Sequence, residues 1–107
     1  MIENKAESLV NQIDYQNGSI VSKQIIKKKN GNVTLFAFDK GESLTEHTSP
    51  YEALVFVVDG EMEIKIGGAP YHVKAGEIIL LPQSIPHGLI ALEKSKMLLT
   101  MNRKSVV

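Results

Sequence analysis

A chain of 107 residues with 43% hydrophobic side chains holds enough apolar material for one core, so a second domain is not expected. Twelve Lys and Arg balance twelve Asp and Glu for a formal net charge of +0, which leaves no basic footprint for nucleic acid. No apolar run approaches the roughly 20 residues of a membrane helix, and the absence of cysteine removes disulfides, thiolate metal sites and cysteine nucleophiles together. The start, Met1-Ile2-Glu3-Asn4-Lys5-Ala6-Glu7, has no signal-peptide core, so a soluble, cytoplasmic protein is expected.

Leu9, Val10 and Ile13 recur at one-turn spacing before Asn17-Gly18 interrupts them. Residues 1–19 are therefore expected to form a short helical or irregular segment packed on the rest of the chain. From Ile20 the chain becomes a succession of β-rich runs punctuated by turn signals. Residues 20–107 are expected to form an antiparallel all-β domain of about eight strands. Runs 20–28 and 33–38 join through Lys29-Asn30-Gly31-Asn32, where Asn30-Gly31 should supply the positive φ angles of a tight turn. Asp59-Gly60 reads as the same device between runs 54–58 and 61–66. Gly67-Gly68 leads into run 70–73, Ala75-Gly76 into run 78–81, and a longer Pro82-to-Pro86 connection precedes runs 87–92 and 97–101.

In Glu61-Met62-Glu63-Ile64-Lys65-Ile66 the alternation puts Met62, Ile64 and Ile66 inside and the charges in water. Leu54-Val55-Phe56-Val57-Val58, Ile78-Ile79-Leu80-Leu81 and Met97-Leu98-Leu99 are instead apolar on both faces, and a single barrel has an inside for only one. A second copy of the chain is the economical cover, so a homodimer is expected through these strand faces. Lys27-Lys28-Lys29 and Glu93-Lys94-Ser95-Lys96 read as solvated turns, and His72, between apolar Tyr71 and Val73, should point outwards.

Two stretches carry a family resemblance. Gly41-Glu42-Ser43-Leu44-Thr45-Glu46-His47-Thr48-Ser49-Pro50-Tyr51-Glu52-Ala53, continuing to Gly60, resembles the first motif of the cupin superfamily. That motif runs Gly, five residues, His, one residue, His, three or four residues, Glu, six residues, Gly. Gly76-Glu77-Ile78-Ile79-Leu80-Leu81-Pro82-Gln83-Ser84-Ile85-Pro86-His87 resembles the second, with Gly76, Pro82 and His87 in register. The resemblance implies a double-stranded β-helix, a jelly-roll-like antiparallel barrel that is usually dimeric. It also implies a divalent metal held by two histidines and a glutamate of the first motif and the histidine of the second. Those positions are His47, Ser49, Ala53 and His87 here, so only two ligands are kept. Serine is a poor ligand for a divalent ion and alanine is none.

Glu52 lies one residue before the glutamate position; strict alternation from His47 turns it outwards, while a bulge at Ser49-Pro50 would bring it in. Two histidines, that carboxylate and water would then hold zinc, nickel, manganese or iron. The site is thus expected to carry either no cofactor or one such ion, with His47, His87 and Glu52 as the candidate ligands. Ser49, Tyr51, Val55 and Met62 are the candidate residues against a small, mostly apolar ligand. The first expectation for function is a small-molecule-binding cupin without the full metal cage, in which catalysis is absent. The alternative is a metal-dependent dioxygenase or isomerase built on His47 and His87 with Glu52 or water.

Overall fold

The structure, a computed structural model, describes residues 5–102. Residues 1–4 and 103–107, the outer ends of the expected segment and barrel, lie outside the described residues. Among the described residues there are nine strands after one short 3-10 turn at Leu9–Gln12. They are β1 (Ile20–Lys28), β2 (Gly31–Phe38), β3 (Ser43–His47), β4 (Glu52–Asp59), β5 (Glu61–Ile66), β6 (Ala69–Lys74), β7 (Ile78–Leu81), β8 (His87–Ala91) and β9 (Ser95–Asn102). The strand beyond the expected set is β3, whose one apolar side chain, Leu44, hides it from a periodicity count.

All pairings are antiparallel, in a five-stranded sheet of order β1-β2-β9-β4-β7 and a four-stranded sheet of order β3-β8-β5-β6. The chain crosses repeatedly between them, so their inner faces close on one core. Phe38, Ala53, Val55, Val57, Leu81 and Met97 from the first sheet meet Met62, Ile64, Val73, Leu89 and Ala91 from the second. The alternation of β5 does what its pattern predicts, with Met62 and Ile64 fully buried.

Three turn expectations need correction or sharpening. Gly67 and Gly68 both take positive φ, 57° and 85°, so Ile66 can pair directly with Ala69 across a two-residue hairpin. In the first hairpin the turn residues are Lys29 and Asn30, with Lys28 opposite Gly31, and neither Asn30 nor Gly31 has a positive φ. Gly31 supplies room instead, since a Cβ there would lie 2.7 Å from the Met101 carbonyl oxygen. Asp59-Gly60 makes no hairpin at all, because β4 and β5 belong to different sheets. It is a corner, and Gly60 turns it at φ 82°.

The corner rests on a stretch expected to be solvated. Glu93 and Lys94 are exposed, but Ser95 and Lys96 are buried at the start of β9. Ser95 Oγ accepts the Glu61 amide at 3.1 Å and lies 3.0 Å from Glu61 O and 2.7 Å from Glu93 O, satisfying a hydroxyl that burial would otherwise penalise.

Outside the five-stranded sheet, the N-terminal segment forms a second apolar cluster. Ile13, with Leu9 and Tyr15, packs on Leu35, Ala37 and Leu98. Polar clamps hold it there. Tyr15 O–H donates to Asp59 Oδ2 at 2.5 Å, and burial together with that carboxylate raises the phenol well above its ordinary range. Lys96 Nζ donates to Val10 O at 2.6 Å and lies 4.9 Å from the centre of the Tyr15 ring. Replacing the ammonium while keeping the stem, Lys96→Met, is expected to cost about 1–2 kcal/mol and to speed amide exchange across residues 9–13. Unchanged exchange there would show that apolar contact alone fixes the segment.

The segment leaves part of that outer face open. Leu54 and Phe56 on β4 stand opposite Leu80 and Ile78 on the edge strand β7, and Ile78 and Leu80 are 61% and 49% exposed.

Candidate functional site

The two motif histidines meet at one end of the barrel because β3 ends on His47 where β8 begins on His87, and the two are cross-strand partners. Leu44 pairs with Leu89 and His47 with His87, so three steps along β3 match two along β8. Strict alternation would put Leu44 and His47 on opposite faces; the extra residue at Thr45-Glu46 turns both inwards. The bulge has space because its neighbour is Gly88, where a Cβ would lie 3.3 Å from Glu46 N and 3.4 Å from Leu44 O.

The imidazole rings are 4.6 Å apart between centres and inclined at 63°, edge to face. Each is pinned by the carbonyl two residues before it: His47 Nδ1 lies 3.0 Å from Thr45 O, and His87 Nδ1 3.3 Å from Ile85 O. His47 is exposed at the rim, whereas His87 is 6% exposed. Burial lowers the His87 pKa; the Ile85 hydrogen bond opposes that shift and the nearby His47 adds to it. Two main-chain bonds tie the surrounding loops, Ser84 N–H to Ser49 O and Gly67 N–H to Pro86 O, both 2.8 Å long.

His87 makes stability depend on pH. Its native pKa lies below the ordinary 6.5 of an unfolded imidazole, so on acidification the unfolded chain takes up a proton that the native state refuses. The stability associated with neutral His87 is full above about pH 6.5, falls as the pH drops to the native pKa, and is flat below it. Urea midpoints between pH 8 and pH 5 should decline less in His87→Asn than in the parent protein. Parallel curves would remove His87 as the cause.

Behind the rings is a cavity of about 210 Å³. Its polar lining is His47, His87 and Ser49, and the rest is Phe36, Leu44, Ala53, Leu81, Leu89, Leu99 and Met101. Of the residues singled out from sequence, His47, His87 and Ser49 are thus brought together. The others are placed elsewhere. Val55 and Met62 are fully buried in the core and do not line the cavity. Tyr51 is half-buried beside it and donates its amide to Ser49 Oγ at 3.1 Å. Glu52 is exposed opposite Asn102 and shares the outer face of β4 with Leu54, while Ala53 lines the cavity. The β3 bulge lies upstream of His47, so it leaves the phase of Glu52 unchanged. Phe36, Leu99 and Met101 are absent from the residues that the sequence pointed to; their strands β2 and β9 reach the site only through the sheet pairing.

His72 stands apart on the solvent side, with Nδ1 3.4 Å from Glu61 and Nε2 3.7 Å from Glu63. Among the described residues no group of three or more His, Asp or Glu converges as a metal site. At the four ligand positions the chain offers two imidazoles, a hydroxyl and a methyl, and this donor set does not fit the four-ligand cage of a resident divalent ion.

Two facing antiparallel sheets with paired histidines at an open end define the class, a double-stranded β-helix barrel of cupin type. The Cupin domain family model matches residues 34–101, and the chain belongs to this family. No curated protein matches. Among solved structures, a conserved Streptococcus pyogenes protein of unknown function is 29% identical, with a TM-score of 0.94 over 99% of this chain and 93% of that one. A cupin 2 conserved barrel domain protein from Leptotrichia buccalis is 44% identical, with a TM-score of 0.86 over 89% of this chain, which spans only 46% of that protein. An RmlC-like cupin from Desulfovibrio desulfuricans is 26% identical, with a TM-score of 0.79 over 92% of this chain and 95% of that one.

Proposed function

We propose that this cupin is a binding barrel for a small, mostly apolar molecule, held without a resident metal. The observation that carries this reading is the apolar cavity of about 210 Å³ with two imidazoles at its mouth and no charged side chain in its lining. Sites for drug-sized ligands run from about 300 to 1,000 Å³, so the ligand is smaller than these. An apolar cavity of roughly 150 Å³ is known to take benzene, which sets the lower end of the scale.

The test uses chain expressed without a His tag and dialysed. Toluene and cyclohexanol should perturb amide resonances around Leu89 and Leu99. Ala53→Leu, which adds bulk to the cavity wall and leaves both imidazoles in place, should weaken binding at least tenfold while the chain still unfolds cooperatively. Elemental analysis should find metal well below one ion per chain, before and after exposure to zinc, nickel, manganese or iron. About one ion per chain, lost in His47→Ala, would overturn the metal-free reading in favour of a metal-dependent enzyme.

A second copy of the chain is the occupant we assign to the Leu54, Phe56, Ile78 and Leu80 face. The N-terminal segment packs on Leu35, Ala37 and Leu98 and leaves this face open, and large apolar side chains clustered on an edge strand are costly to leave in water.

A further inference from the structure

We propose that the cavity selects neutral molecules of about one ring that bring a hydroxyl hydrogen to its mouth, alcohols or phenols, and rejects carboxylates and phosphates. The proposal rests on the cavity being a ligand site and adds the polarity of what it takes.

Polarity follows from the two carbonyl contacts. A carbonyl oxygen only accepts, so the ring nitrogen facing Thr45 O and the one facing Ile85 O must each carry the hydrogen. In a neutral imidazole that assignment leaves Nε2 as a lone-pair acceptor on both rings. Neither Nε2 has a hydrogen-bond partner among the described residues. Two acceptors therefore wait at one mouth. The third polar group adds a donor, because Ser49 Oγ accepts the Tyr51 amide and still has its own hydrogen to give.

A hydroxyl matches this set. It donates to an imidazole Nε2 and accepts from Ser49, while its carbon skeleton replaces water against Leu81, Leu89 and Leu99. An ether lacks the donated hydrogen and leaves the acceptors unpaired when it displaces water. A carboxylate fares worse. It would face two lone pairs, with no Lys or Arg in the lining to compensate the loss of its hydration. Lys65 lines a separate groove with Glu46 and Glu63 on the outer side of the four-stranded sheet.

The experiment compares phenol, anisole, toluene and benzoate by calorimetric titration at pH 8, where imidazoles are neutral. Phenol should bind at least tenfold tighter than anisole or toluene, and benzoate should give no heat of binding. In His47→Leu, chosen because the side chain is exposed and the fold does not depend on it, the preference for phenol over toluene should shrink severalfold. Equal affinity for phenol, anisole and toluene overturns the proposed polarity and leaves the apolar pocket standing. Tightest binding by benzoate overturns the polarity as well. Failure of all four to bind overturns the pocket reading itself, and the proposal with it.

Discussion

Gly60→Ala is expected to lose about 3–4 kcal/mol of folding stability, a large share of the 5–15 kcal/mol typical of a domain. Two penalties coincide at this corner. Its φ of 82° belongs to the left-handed region, where a side chain costs about 1–2 kcal/mol. A Cβ would also lie 2.2 Å from the Lys94 carbonyl oxygen and 2.5 Å from Ser95 Oγ, and neither can withdraw freely, because Ser95 is tied to both Glu61 and Glu93. Overpacking of this kind adds roughly 1–3 kcal/mol. Gly41 and Gly76 are the controls, with φ of 85° and 89° but open space where the Cβ would go. Their alanine variants should lose only about 1 kcal/mol each. For a domain of this size that is a drop of roughly 4–8 °C, against roughly 12–32 °C for Gly60→Ala. Equal melting temperatures for the three variants would mean that the Lys94 turn yields at little cost.

Leu80→Glu should turn a two-chain particle into a one-chain particle. Leu80 stands opposite Leu54 on the outer face of the edge strand and is 49% exposed in a single chain, so a carboxylate there is tolerated by the monomer. In a dimer buried on this face, the same carboxylate would be stripped of water among apolar side chains with no partner charge. Dissociation should become easier by roughly a hundredfold or more. Light scattering after gel filtration, at several protein concentrations, reads the change directly. The melting temperature of the parent should rise with concentration, as mass action requires of a coupled dimer, and that dependence should vanish in the variant. A parent protein that runs as a single chain at every concentration would assign the face to another partner. Ile26→Glu, at an exposed apolar residue on β1 far along the sheet, should leave the mass unchanged.

Much of the barrel was legible because cupin strands are separated by residues whose backbone demands are local. Gly41, Gly60 and Gly76 all have positive φ where the motifs place a glycine, and His47, Pro82 and His87 fall in the matching register. The hairpin at Gly67-Gly68 was legible for the same reason. The Asp59-Gly60 turn was misassigned because a glycine at positive φ announces a change of direction and not the sheet to which the next strand goes. Burial of Ser95 and Lys96 was hidden too. Both are polar residues in a polar stretch, and the contacts that enclose them, Ser95 at the corner and Lys96 against Val10 and Tyr15, come from distant parts of the chain.

The candidate site shows the same division. Ser49 and Ala53 at two ligand positions were legible through the family resemblance, whereas the direction of Glu52 stayed open between strict alternation and a bulge until the β4 pairing placed it outwards. Leu44 and His47 share the cavity only because β3 carries an extra residue against Gly88, and a bulge is set by the partner strand. Sheet pairing likewise brings Phe36, Leu99 and Met101 to the histidines from far along the chain. The sequence by itself determined the all-β class and the family register, because both depend on residue type and short-range spacing. Tertiary structure alone decided which side chains line the cavity and which ring nitrogens remain open to a ligand, because both depend on contacts between strands that the chain brings together only on folding.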